Sequence, residues 1–149
     1  MNYDQILKKG VDLLKKKKIK NPYLDTELML SKAINKKREK IILNIKNKLK
    51  SADILKFNKF LLRRQNKEPM AYILGYKHFW KYKFLINKSV LIPRPDTELV
   101  IEETLKYLPN DKSKKILDIG TGSGCIIVTL IKERPKCKAT AIDISIKAI

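Results

Sequence analysis

The stretch that decides the fold is Ile116–Asp143, "ILDIGTGSGCIIVTLIKERPKCKATAID". "KKILDIG" (Lys114–Gly120) is short and apolar on both faces, the pattern of a central parallel strand. "SGCIIVTLIKER" (Ser123–Arg134) has helical length and stops before Pro135. "KATAID" (Lys138–Asp143) is a second short strand. Strand, glycine loop, helix, strand predicts a βαβ unit. Gly120, Gly122 and Gly124 fall at the turn from strand to helix, where missing Cβ atoms allow a sharp turn and let a ligand touch the backbone. Free N–H groups at the helix start are expected to add a weakly positive edge. Asp143 closes the second strand 23 residues after Gly120, where a carboxylate can accept from both ribose hydroxyls. Loop plus strand-terminal acid predicts an adenosine-containing cofactor.

The spacing G-x-G-x-G differs from the dinucleotide fingerprint G-x-G-x-x-G, and no Lys-Ser or Lys-Thr follows the loop, which excludes a phosphate-binding P-loop. Asp118, ahead of the glycines, suits a cationic ligand better than a pyrophosphate. A nicotinamide enzyme and a purely structural loop are the alternatives. "LDIGTGSG" resembles the first motif of methyltransferases that use S-adenosylmethionine. That resemblance implies that Gly120, Thr121, Gly122, Ser123 and Gly124 line the methionine part of the cofactor while Asp143 holds its ribose.

Composition bounds the rest. A chain of 149 residues holds one domain, or a small one plus part of another. Its apolar fraction of 44% supports a folded core rather than wholesale disorder. Met1–Gly10 carries no signal-peptide core and no apolar run reaches membrane-span length, so a cytoplasmic setting is expected. Cys125 and Cys137 make no metal-ligand pattern and are read as free thiols. The formal net charge is +19, yet only five of the 34 basic residues are arginine. Lysine is a solvated point charge, whereas arginine reads phosphate and guanine bidentately. Abundant Lys, Ile and Asn also fit an A/T-rich coding sequence, so direct nucleic-acid binding is not expected.

Residues 1–70 read as a small helical bundle. Tyr3, Leu7, Val11 and Leu14 form one stripe at helical spacing. Asn21 and Pro22 mark a helix start, a shorter helix covers "KREKIILNI", and a fourth starts at Ser51 with Asp53 at its positive end. Residues 71–95 change to aromatic and β-branched, which predicts a β-hairpin linker with its turn at Asn87-Lys88-Ser89. Residues 96–149 open with a helix capped by Asp96 or Thr97, its apolar face formed by Val100, Ile101, Leu105 and Leu108, and continue into the βαβ unit. The expected fold class is α/β: helical bundle, hairpin linker, and the opening βαβ of an incomplete Rossmann-like methyltransferase domain.

"RRQNKEPMAYILGYKHFW" followed by "LIPRPDTELVIE" resembles the release-factor glutamine methyltransferase family along the whole chain. Ile92–Glu98 is its most specific part; a sister family acting on a ribosomal-protein glutamine carries a different sequence after its Pro-Arg. The resemblance implies methyl transfer from S-adenosylmethionine to the glutamine amide of a Gly-Gly-Gln motif, with peptide-chain release factors as partners and the helical domain recognising them. The family's Asn-Pro-Pro-Tyr motif, which orients that amide, does not occur in these residues. Asn21-Pro22-Tyr23 has one proline and reads as a helix start. The chain is therefore expected to be the N-terminal part of an enzyme and inactive alone, whether as a fragment, a disrupted frame or a degenerating gene. A non-catalytic basic helical module binding release factor or RNA, and a nucleic-acid methyltransferase, are the rivals. His78, Phe79 and Trp80 are read as packing residues. Arg94 and Glu98 either face the cofactor pocket or fix the helix entry. Cys125 is read as small-residue packing rather than an activated thiol.

Overall fold

The structure, a computed structural model, describes residues 1–148. Its contacts divide the chain into two compact units, Met1–Leu74 and Gly75 onward.

The first unit is all helical: α1 (Tyr3–Lys16), α2 (Pro22–Ile34), α3 (Arg38–Leu43), α4 (Ser51–Gln65) and α5 (Met70–Leu74). Residues 71–74, where the sequence suggests the linker begins, are thus the helix that ends this unit. α1 starts with a capping box: the Asn2 side chain accepts from the Gln5 N–H, and the Gln5 side chain accepts from the Asn2 N–H, both at 2.9 Å. Asn21 and Lys50 occupy the caps of α2 and α4 without side-chain bonds, and α4 starts at Ser51 as the sequence suggests. The core packs Tyr3, Ile6 and Leu14 of α1 against Met29 and Leu30 of α2 and Phe57 of α4. Relative to the expected stripe, the buried face of α1 is turned towards Ile6 and Gly10, leaving Leu7 half-buried. Gly10 marks the closest approach: a Cβ there would lie 2.6 Å from Thr26 Cγ2 and 3.0 Å from Phe57 Cζ. At the end of α4, Arg64 Nε donates to buried Asp25 at 2.7 Å, and Arg63 grips Glu68 through two nitrogens at 2.7 and 2.8 Å. These pairs hold the turn into α5, where Arg63 also donates to the Tyr72 carbonyl.

The second unit opens with a hairpin, β1 (Tyr76–Phe79) and β2 (Tyr82–Leu85), antiparallel with Phe79 opposite Tyr82. Its turn is Trp80–Lys81, which corrects the expectation of Asn87–Ser89. Trp80 takes φ +54°, a conformation normally left to glycine or asparagine. It is held because its N–H donates to Glu98 Oε1 at 2.8 Å and its indole N–H to Glu133 Oε1 at 3.0 Å. Asn87 does make a turn, accepting from Ser89 N–H on its side chain, but this follows the hairpin instead of closing it. Pro95–Thr97 forms a single 3-10 turn into α6 (Glu98–Tyr107). Neither Asp96 nor Thr97 caps α6 with its side chain; of the expected apolar face, Ile101 is fully buried, Leu105 and Leu108 half-buried, and Val100 exposed.

The βαβ unit forms as read: β3 (Lys115–Ile119), α7 (Cys125–Glu133) and β4 (Lys138–Ile142), with β3 and β4 parallel from Lys115–Lys138 to Ile119–Ile142. Arg134 joins α7 to α6 by donating to the Leu105 and Leu108 carbonyls at the end of that helix, a cation at a helix C-terminus. Leu117 and Ile119 remain 59% and 73% exposed, and every residue of β4 is exposed. A strand with apolar residues on both faces is here covered incompletely. The α/β architecture of helical unit, hairpin and opening βαβ holds.

Candidate cofactor site

The loop Gly120–Gly124 leaves β3 and enters α7. Gly120, Gly122 and Gly124 have φ of +77°, +54° and +71°, so each sits where an L side chain is strained. A Cβ on Gly120 or Gly122 would meet no atom within 4 Å, while one on Gly124 would contact Val128 at 3.5 Å. The first two glycines therefore present bare backbone to open space, a shape that a ligand can occupy. Gly124 instead closes the helix start against its own next turn.

The loop is tied down by its own backbone. Gly120 and Thr121 N–H both donate to the Ile142 carbonyl, at 2.8 and 3.0 Å, and Gly124 N–H donates to Thr121 O at 2.9 Å. Gly122 N–H donates to Asp143 Oδ2 at 2.8 Å. These four N–H groups precede the first turn of α7 and are not free donors. They are spent on fixing the loop.

Asp143 follows β4 at the level of the loop. Its two oxygens accept one N–H each, from Gly122 and from Ser145 at 2.8 Å, and these bonds, that of Ser145 foremost, hold its carboxyl below the ordinary value of 3.8. A carboxylate oxygen has two lone-pair directions, so one on each oxygen remains for vicinal hydroxyls. Asp118 accepts from Thr121 Oγ1 at 2.8 Å on one oxygen, and its other oxygen has no ion pair among the described residues, a negative edge beside the loop. Glycine faces, Asp143 and Asp118 together make one short stretch with an open contact surface and two anions. That donor set fits a neutral diol and a cation, and disfavours a phosphate. Ser123 lies between the glycines, half-buried.

The remaining singled-out residues lie elsewhere in this unit. Cys125 is buried, and burial pushes its thiol up, the reverse of a helix-start activation. Glu98 spends its carboxylate on the Trp80 turn, which resolves its role towards fixing structure, while Arg94 is exposed. Phe79 is buried against Phe84 edge to face, and His78 is exposed. Glu133 is the residue the sequence reading missed. Its Oε1 accepts from Trp80 Nε1, Lys81 Nζ and Tyr82 OH at 3.0–3.1 Å, joining the hairpin turn to the end of α7. Lys81 above all, with the Trp80 and Tyr82 hydrogen bonds, holds its carboxyl below the ordinary 4.5. A depressed folded-state pKa stabilises above the unfolded value, and the contribution disappears as pH falls through the folded one. Since Trp80 is the sole tryptophan, its fluorescence should shift as pH drops below about 4.5, the unfolded-state value for Glu133, and Glu133→Gln should abolish that transition. A transition that persists unchanged in Glu133→Gln would assign it to another group.

Among the described residues no helix is long and apolar enough to cross a membrane. Residues 5–75 match the PrmC N-terminal domain and residues 97–149 the methyltransferase small domain. The chain is 44% identical over 135 residues to the release factor glutamine methyltransferase of Buchnera aphidicola subsp. Baizongia pistaciae, covering 91% of this chain and 49% of that protein. It is 39% identical over 138 residues to that of Caulobacter vibrioides, covering 93% and 48%. With the bifunctional methyltransferase of Rickettsia bellii it shares 39% over 171 residues, 97% of this chain and 31% of the relative. The chain spans about half the length of the first two relatives. Helical unit, hairpin and glycine-loop βαβ thus fall in the order of the two matched domains, and over most of its length the chain is similar to the N-terminal part of these release factor glutamine methyltransferases.

Proposed function

We propose that this chain supplies the cofactor cradle, and through residues 1–70 the partner-recognition domain, of an S-adenosylmethionine-dependent enzyme that methylates the glutamine amide of the Gly-Gly-Gln motif in peptide-chain release factors. The observation that supports it best is the open backbone of Gly120 and Gly122 beside Asp143. S-adenosylmethionine supplies a methyl group activated by a sulfonium. Gly120 and Gly122 give its methionine part bare backbone, Asp118 offsets positive charge, and Asp143 accepts from the ribose hydroxyls. The loop's internal hydrogen bonds fix this geometry before binding, which reduces the ordering cost.

Transfer to an amide demands more. The amide lone pair is delocalised into its carbonyl, so acceptors must hold the two N–H groups and aim nitrogen at the methyl for in-line displacement. These residues contain no Asn-Pro-Pro-Tyr to do so, and the two-stranded sheet leaves apolar residues of β3 in solvent. The chain alone is therefore expected to bind cofactor weakly and to transfer nothing. Incubated with methyl-labelled S-adenosylmethionine and a release factor, it should leave the factor unlabelled. Ultraviolet cross-linking should nonetheless attach labelled cofactor to the chain, in competition with S-adenosylhomocysteine. Label on the Gly-Gly-Gln glutamine would overturn the expected lack of transfer; no cross-linking would overturn the cradle.

A further inference from the structure

The helical unit carries a surface that its own core does not use. Leu43 is 82% exposed, Ile42 47% and Ile45 38%, three aliphatic side chains within four residues at the end of α3 and the turn after it. Such clusters are uncommon on a surface without a partner. This one is firmly mounted. The Ile45 and Asn47 carbonyls accept from the first-turn N–H groups of Asp4 and Tyr3, both at 3.0 Å, and Leu49 N–H donates to Met1 O at 3.1 Å. The segment is thus the backbone cap of α1, and Ile41 roots it fully buried in the core. Rigid apolar groups lose little entropy on binding.

The rim is cationic. From Lys36 to Lys50 the chain carries six lysines and Arg38 against Glu39 alone, a net charge of 7 − 1 = +6. Arg38 is paired with Glu27, but Lys40, Lys46 and Lys48 flank the aliphatic cluster with no ion pair among the described residues. We propose that Ile42, Leu43 and Ile45, rimmed by Lys40, Lys46 and Lys48, form a docking surface for a protein face with an apolar centre and an acidic border. An RNA backbone would use the lysines and leave the aliphatic centre without a counterpart, since single-stranded bases stack on aromatic or arginine planes. A membrane would use both, but six-residue α3 offers no extended amphipathic face to lie in an interface. A protein face answers both features at once: an apolar centre for affinity, a charged rim for steering.

This inference rests on the proposed function for the probe, a peptide-chain release factor. Its binding to the 149-residue chain would be measured by biolayer interferometry across salt concentrations, for wild type, Leu43→Asp and the double variant Lys46→Glu/Lys48→Glu. Because Leu43 is largely exposed, Leu43→Asp should keep the wild-type melting temperature and weaken binding by about tenfold or more. The charge reversal should weaken binding and flatten its salt dependence. Wild-type affinity in both variants would overturn the inference and leave the proposed partner standing. Absence of binding by the wild-type chain would overturn both, leaving the cofactor assignment to its separate cross-linking test. Binding of phosphatidylserine vesicles or of a ribosomal RNA hairpin with the same Leu43 dependence, and none of release factor, would reassign the surface.

Discussion

Replacing Gly122 by valine is expected to remove measurable S-adenosylmethionine binding while both units stay folded. Two effects add. At φ +54° a β-branched residue is strained, at a cost of about 1–3 kcal/mol, so the loop shifts away from the observed path. The isopropyl group also projects into the space that holds no atom within 4 Å of a Cβ, the space the proposed function gives to the cofactor. Shift of the loop further breaks the Gly122 N–H to Asp143 bond, disturbing the carboxylate proposed to accept from the ribose. A loss of at least about a hundredfold corresponds to the strain and the steric term together. Asp143→Ala removes the acceptors but keeps the cradle open, so it should weaken binding by roughly ten- to a hundredfold. Calorimetry is the measurement; unchanged affinity in both variants would remove the cofactor assignment.

The second large effect is structural. Gly10→Val should destabilise the helical unit by about 3 kcal/mol or more. Helix propensity alone points the other way, since a mid-helix glycine costs about 1 kcal/mol relative to alanine and alanine should stabilise α1. Packing decides against it. A Cβ would overlap Thr26 Cγ2 at 2.6 Å and press on Phe57 Cζ at 3.0 Å, and both residues are fully buried. Thr26 also donates its hydroxyl to the Pro22 carbonyl at 2.7 Å, so it yields only by breaking that bond. Overpacking then outweighs propensity. Urea denaturation followed by circular dichroism should show a lower midpoint with an unchanged slope. A midpoint equal to or above wild type would mean that α1 and α2 are not packed as described.

These two glycines show what the sequence could and could not disclose. Gly122 was legible because its position is defined locally, by a strand before it, a helix after it and Asp143 at a fixed distance along the chain. Gly10 was silent, because what forbids a side chain there is two residues from α2 and α4, remote in sequence. The hairpin divides the same way. Its aromatic and β-branched strands read correctly, but its turn did not, since Asn87-Lys88-Ser89 has turn chemistry and Trp80-Lys81 has none. Trp80 at its positive φ is bonded to Glu98 and Glu133, 18 and 53 residues away. Periodicity carries no trace of such partners. The pair Asp25–Arg64 and the three-fold use of Glu133 were hidden for that reason too. The two apolar faces of β3, by contrast, were legible locally, and with one neighbouring strand described they leave Leu117 and Ile119 exposed.

The central claim is that Gly120 to Gly124 and Asp143 form a cofactor cradle, and amide NMR of the 149-residue chain titrated with S-adenosylhomocysteine tests it most directly. The sulfonium methyl is absent from that compound, so no transfer complicates the reading, while its ribose and amino-acid groups remain. The account predicts saturable shifts at Gly120, Thr121, Gly122 and Gly124, and at Ser145 through the carboxylate of Asp143, with α1 to α5 unmoved. Loop amides that stay in place at millimolar ligand, or shifts confined to the helical unit, would contradict it.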